Sequence, residues 1–364
     1  MSTILFYTRA LIIGATKSQG VFGKTGSLVA NISSNRGIIS IVPRTNQPQK
    51  LLKMQEEENS LLEEARKVVP ALSFGKHKGQ AGRVGVIGGS EEYTGAPYFA
   101  AISAMKAGAD LAHVFCSKSA STVIKSYSPE LIVHPLLDVP NAVTLLDEWL
   151  PRIHSHVIGP GLGRVDATLN TVKEILIKLK KQEIPIVIDA DGLFLITRDP
   201  SIIHGYTKAI LTPNVVEFQR LSKAMNLNWE SKDLNGSIME TVDLSKALGG
   251  VTIVRKGEVD IVAAGDHTYI TTVVTMDEIG SPRRCGGQGD LLSGVMALFS
   301  YWTHNSTCTP PPTLLAGYAA CFLTKRCANQ AFQKHGRSTA TTDLISEINS
   351  VFVNNFENPT DPKS

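Results

Sequence analysis

One stretch concentrates groups able to handle phosphate: Gly280-Ser281-Pro282-Arg283-Arg284-Cys285-Gly286-Gly287-Gln288-Gly289-Asp290. Two arginines precede three crowded glycines, a carboxylate follows, and the apolar run Leu291 to Phe299 then reads as a helix. A glycine turn feeding a helix leaves unpaired backbone N–H groups at the positive end of the helix dipole, which suits an anion. Glycine also lets backbone approach a ligand closely. Asp290 at the mouth of such a site is positioned to take a proton from a hydroxyl held beside the phosphates. The plainer reading is a turn with Asp290 as an ordinary N-cap; the flanking arginines and the terminal carboxylate favour chemistry.

Four other stretches carry polar groups at strand ends. Asn214-Val215-Val216-Glu217 has capping-box spacing, and its amide and carboxylate oxygens equally suit Mg²⁺ and its waters. Arg220, one turn on, can reach an anion. Gly159-Pro160-Gly161-Leu162-Gly163-Arg164 has more glycines than a turn needs, which suggests close approach to a ligand. Lys256-Gly257-Glu258-Val259-Asp260 fits either a hairpin turn or a phosphate- and ribose-binding loop. Asp189 and Asp191 suit metal, ribose or capping roles and rank second. Gly85-Val86-Ile87-Gly88-Gly89-Ser90 lacks G-x-G-x-x-G spacing and a following acid, so it is not a dinucleotide fingerprint. With Tyr93 to Pro97 it fits a ligand-lining turn.

These groups need a frame, and the apolar pattern supplies one. Short strands are expected at Arg83–Ile87, Leu111–Cys116, Leu131–Leu136, Val157–Ile158, Pro185–Ile188, Ala209–Leu211 and Val251–Val254. An antiparallel pair is expected over Asp260–Ala264 and Thr268–Thr275. Helices are expected at Gln55–Val69, Ala96–Ala107, Ala167–Lys181, Asp290–Trp302, Thr313–Phe332 and Thr341–Phe356. Apolar strands alternating with helices mean a largely parallel α/β sheet covered on both faces, with ligands at the carboxyl ends of the strands. No internal repeat or linker interrupts residues 66 to 356, so one domain over residues 56–356 is expected, with a polar tail at 357–364.

Charge sets the leader apart. Seven of the 36 basic side chains and none of the 33 acidic ones fall in residues 1–55, so the remainder is net −4. That argues against a nucleic-acid-binding body. An acid-free leader rich in Ser, Thr and Asn reads as an organellar transit peptide or a disordered tail. The expected destination is chloroplast or mitochondrion, with the cytosol also open. Five scattered cysteines without a C-x-x-C pair argue for a reducing compartment and against a zinc site. No apolar run reaches the roughly 20 residues that span a bilayer.

Together the strand-end N-x-x-E and the late G-x-G-D before a helix resemble the ribokinase-like superfamily, a three-layer sandwich. Within it, Lys78 to Val84, Gly159 to Arg164, Asp189 to Leu193, Asn214 to Phe218 and Arg284 to Gly294 look like the eukaryotic ATP-dependent NAD(P)H-hydrate dehydratases, in order and without large gaps. The resemblance implies a lyase of metabolite repair that dehydrates (6S)-NADHX and (6S)-NADPHX at the expense of ATP. Asp290 is the implied base. Gly161, Gly163, Asn214, Val215, Val216, Glu217, Phe218, Gln219, Arg220 and Asp290 are the implied substrate contacts. The implied ATP contacts are Lys256, Gly257, Glu258, Val259 and Asp260, with Gly280, Ser281, Pro282, Arg283, Arg284, Cys285, Gly286, Gly287, Gln288 and Gly289. Glu217 is implied to act on Mg²⁺ through water. Asn214 directly after Pro213 implies ATP rather than ADP. A separate NAD(P)HX epimerase is the implied partner, and a homo-oligomer is left open. The competing readings are a thiazole or hydroxymethylpyrimidine kinase of the same fold and a catalytically dead nucleotide sensor.

Overall fold

The computed structural model describes residues 10–14, 60–75, 77–228, 231, 233–265, 271–276 and 280–357. Seven strands run parallel: β2 (Arg83–Ile87), β3 (Leu111–Cys116), β4 (Ile132–Pro135), β5 (Ser155–Ile158), β6 (Ile186–Ile188), β7 (Ala209–Leu211) and β8 (Thr252–Arg255). Three antiparallel strands extend one edge: β9 (Asp260–Gly265), β10 (Thr271–Met276) and, outermost, β1 (Ala10–Gly14). The order is β1-β10-β9-β8-β7-β6-β5-β2-β3-β4.

Both faces of the sheet are covered, as strands without a polar side require. One face carries α1 (Ser60–Lys67), α2 (Gly95–Lys106), α3 (Lys118–Tyr127), α9 (Gln288–His304), α10 (Pro312–His335) and α11 (Thr341–Phe356). The other carries α4 (Ala142–Leu146), α5 (Asp166–Lys181), α6 (Asp191–Arg198), α7 (Val215–Ala224) and α8 (Leu234–Ala247). Alternation along a strand divides its side chains between two cores. Val187 enters the first, while Ile186 and Ile188 enter the second. The three layers match the expected sandwich.

Helices α3, α4, α6 and α8 were not expected. Helix α4 is only five residues long; the others are rich in Ser, Thr and Gly, or begin inside a turn motif. Local caps start two of them. Ser117 Oγ accepts from Ala120 N at 3.3 Å, and Asp233 Oδ1 from Gly236 N at 2.7 Å, a contribution of about 1 kcal/mol each. The expected helix from Gln55 begins among the described residues at Ser60; 55–59, the start of the Thr268 strand, and the tail from 358 lie outside them. Within the leader only Ala10–Gly14 is described, as β1.

Candidate active site

Because β6, β7 and β8 are parallel neighbours, the residues just past their ends lie side by side. Asp189 follows β6, Thr212-Pro213-Asn214 follows β7, and Lys256 follows β8. The Lys256 backbone N–H donates to Pro213 O at 2.9 Å, extending the pairing by one step. Its Nζ donates to Asp189 Oδ1 at 2.7 Å, where Asp189 is only 2% exposed. The next residue, Ala190, holds φ 48° and ψ −121° and donates its N–H to Asp189 Oδ1 at 2.9 Å. An alanine in that region is strained, and such strain collects where side chains must be presented in a fixed way. Asp189 thus belongs at the centre of the site, ahead of the second rank its sequence context gave it.

The glycine run faces this pair. A Cβ on Gly289 would lie 3.4 Å from both Asp189 Oδ2 and Lys256 Nζ, so the first turn of α9 sits directly above them. Asp290 follows, half-buried. Burial raises its carboxyl pKa, Asp189 raises it further, Lys256 opposes, and the result is about 7. That is where a general base at neutral pH is most effective. Burial works against the charge on Lys256, but Asp189, Glu217 and Asp290 outweigh it and hold its pKa above the ordinary value. Glu217 is raised by burial and by Asp189, against Lys256, the Asn214 N–H and Arg220.

Around α9 the loop is held from behind and open in front. Gly287 is the N-cap at φ 98°, and a Cβ there would meet Phe99 at 2.7 Å. Thr341 Oγ1 donates to Gly286 O at 2.5 Å. Gln288 Nε2 donates to Arg283 O and to Cys285 Sγ, each at 3.2 Å. On the open side, a Cβ on Gly286 would meet nothing within 4 Å. No side chain caps α9, so its first N–H groups point outward with the helix dipole behind them. Ser281 is half-buried; Pro282, Arg283 and Arg284 are exposed beside this opening.

At α7 the capping box is present. Asn214 Oδ1 accepts from the N–H groups of Val216 and Glu217, each at 3.0 Å, and Glu217 Oε2 accepts from Asn214 N at 2.8 Å. Val215 and Val216 are 47% and 52% exposed, and Gln219 and Arg220 are exposed as well. Phe218 departs from the expectation of a substrate contact. Its ring is buried in the second core with Arg255 stacked on it at 4.2 Å. A helix turns about 100° per residue, so seven consecutive residues cannot all face one ligand.

Two further assignments fall on groups that have partners within the protein. Asp260 was expected at ATP but begins β9 and is buried. Its Oδ1 accepts from Gly257 N at 2.9 Å, and its Oδ2 lies 3.5 Å from Lys325 Nζ. Residues 256–260 are the β8–β9 hairpin turn, with Lys256 facing the site, Glu258 exposed and Val259 half-buried. The glycines after β5 are also explained by the protein itself. A Cβ on Gly159 would fall 1.9 Å from Asp189 O, and one on Gly161 would fall 2.5 Å from Tyr93 O. Gly163 N and Arg164 Nε donate to Asp191 at 3.0 and 2.9 Å, which gives Asp191 a structural task. Phe99, Thr341, Lys325 and Asn329 touch the site's loops and were not legible as site residues.

Among the described residues no cluster of three or more His, Cys, Asp or Glu side chains could hold a metal ion alone. A cation here would rely on water and phosphate oxygens, the ligation Mg²⁺ favours. The carboxylates of Asp189, Glu217 and Asp290 do not form such a cluster, so they would bear on a hydrated ion and not enclose it.

A family profile described as NAD(P)H-hydrate dehydratase matches residues 84–350. An ATP-dependent (S)-NAD(P)H-hydrate dehydratase of Ciona intestinalis is 97% identical over the full length of both chains. Among solved structures, a ribokinase-like superfamily protein of Enterococcus faecalis aligns with TM-score 0.65 at 23% identity, covering 82% of this chain and 95% of its own. The ADP/ATP-dependent NAD(P)H-hydrate dehydratase of Bacillus subtilis, co-crystallized with ATP/Mg²⁺, aligns with TM-score 0.58 at 22% identity, covering 81% and 97%. These two likenesses establish the fold, and the match over most of the length establishes the rest: the chain belongs to the ATP-dependent NAD(P)H-hydrate dehydratase family.

Proposed function

We propose that the protein repairs hydrated nicotinamide dinucleotides, converting (6S)-NADHX and (6S)-NADPHX to NADH and NADPH with ATP consumed to ADP and phosphate. The observation that carries this reading is Asp290. A carboxylate titrating near 7 sits at the uncapped end of α9, beside the Lys256–Asp189 pair. Asp290 accepts the proton of the C6 hydroxyl, and that oxygen attacks the γ-phosphorus. The bond from the γ-phosphorus to the β–γ bridging oxygen breaks and ADP leaves. The ring nitrogen lone pair then expels phosphate from C6, and loss of a proton from C5 restores the dihydropyridine. A hydroxyl is a poor leaving group near neutrality; phosphate is a good one.

The N–H groups at the start of α9 stabilise charge on the transferring group, where such donors act most strongly. Lys256, steadied by Asp189, bears on the same phosphates. Mg²⁺ near Glu217, reached through water, would neutralise phosphate charge when bound. Exposed Val215, Val216, Gln219 and Arg220 offer an apolar and cationic margin for the dinucleotide. The deciding assay incubates the protein with hydrated NADH, ATP and Mg²⁺. Phosphate release with return of reduced-nicotinamide absorbance is expected; a stable phosphorylated product would mean a kinase instead.

An enzyme acting on one C6 epimer needs a separate epimerase to bring it the other. The acid-free leader supports an organellar destination. Cleavage beyond Gly14 would leave β10 as the sheet edge. Full-length and leader-deleted proteins carrying a C-terminal fluorescent reporter test this. Organellar entry of the first alone is expected, and cytosolic residence of both would refute it.

A further inference from the structure

Two loops that the proposed function gives to ATP are joined by one face of a distant helix. Lys325 Nζ on α10 donates to Glu258 O at 2.6 Å and lies 3.5 Å from Asp260 Oδ2. Its side chain is 12% exposed. One turn on, Asn329 Nδ2 donates to Gly280 O at 3.2 Å. The amide's other end is fixed, because Asn329 Oδ1 accepts from Gln333 Nε2 at 2.8 Å. Gly280 also rests on the Lys325 stem, at 3.7 Å from a Cβ built on that glycine. Spacing of i and i+4 puts the two side chains on one stripe of the helix. One of them reaches the turn that carries Lys256, the other the start of the glycine loop.

We propose that Lys325 and Asn329 are positioning residues for the nucleotide, fixing the Lys256 turn and the Gly280–Gly289 loop at the separation ATP requires. The inference rests on ATP being the ligand of these loops. Among the described residues the partners of these two side chains are Glu258, Asp260, Gly280 and Gln333 and not Asp290, Asp189 or Lys256, and Asp290 is carried by α9, which is embedded in the first core on its own account. Loss of the clamp therefore weakens ground state and transition state alike, which raises KM without lowering kcat. A lysine with little of its side chain exposed, bonded to a carbonyl beside a buried carboxylate, is also poorly explained by solubility, since lysine seldom withdraws from water unless paired.

The test compares Lys325→Met, Asn329→Ala and Lys325→Arg with the natural protein. ATP and hydrated NADH are varied in turn, and Mg²⁺·ATP binding is measured by calorimetry. Lys325→Met should raise KM and Kd for ATP roughly five- to twentyfold, the effect of losing one charge-assisted hydrogen bond. Asn329→Ala should raise them less. For both, kcat should stay within about twofold and KM for the hydrate should not move. Lys325→Arg, which keeps a cation and donors, should recover most of the affinity. Unchanged ATP affinity in folded variants, or a fall in kcat with constant KM, would overturn the clamp. Should Lys325→Met fail to fold, the Asn329→Ala titration decides alone. If the natural protein binds ATP but does not dehydrate the hydrate, the proposed function fails, and calorimetry still reads the clamp.

Discussion

The turn after β5 and the loop before α9 have nearly the same composition and opposite surroundings. Gly159 and Gly161 are pressed by backbone from neighbouring strand ends, at 1.9 and 2.5 Å from where a side chain would start. Gly286 faces nothing within 4 Å, and Gly289 faces an ion pair. The first set is glycine because the protein is close; the second leaves room for something else. A glycine cluster in a sequence thus signals close approach without saying whether the approaching group is protein or ligand.

Replacing Asp290 separates chemistry from binding within the second region. Asp290→Asn should lower turnover about 10²–10⁴-fold while leaving ATP affinity within about tenfold, read by steady-state rates and calorimetry. In the natural protein kcat/KM should fall about tenfold per pH unit below about 7, and the Asn variant should lack that limb. Stability carries the same signature. The native pKa of Asp290 lies above its unfolded value, so its contribution is fully present below about pH 4 and is lost as pH rises through about 7. The Asn variant should therefore lose less stability than the natural protein between pH 5 and 8 in thermal melts.

The glycines themselves provide the next contrast. Gly159→Ala should destabilise by about 3–5 kcal/mol, the range of overpacked or strained backbone sites, and be read in denaturant midpoints. Gly286→Ala should leave stability within about 0.5 kcal/mol yet weaken ATP binding several-fold. Equal effects of the two would erase the distinction. Smallest is Asp191→Ala, which removes the acceptor for Gly163 N and Arg164. About 1–2 kcal/mol of stability should be lost, with ATP affinity unchanged.

Much of this was legible because local pattern suffices for it. The apolar strands are central and parallel, so their runs stand out; the helix after Asp290 carries a long buried face. The capping box is readable from spacing alone. What escaped depends on chain segments far apart. Lys325 and Asn329 meet the site only because α10 crosses behind two loops. Asp189 gains its importance from Lys256, 67 residues away. Phe218 and Asp260 were drawn into the ligand by contiguity, whereas helical rotation and strand alternation turn them inward.

The two faces of the sheet are completed at different times. The face that carries α4 to α8 is covered by helices that interleave with its strands in sequence. The other waits for α9, α10 and α11; α9 and α11 pack on α2, α10 packs on both of them, and all share one core. At roughly 5–20 residues per second, synthesis leaves the apolar side of β2 and the inner face of α2 without these helices for roughly 10–40 s. During that interval the nascent chain displays sticky surface that its own carboxyl end will cover. A ribosome-stalled chain ending before Gln288 should bind chaperones and resist release, whatever the fate of its catalytic residues.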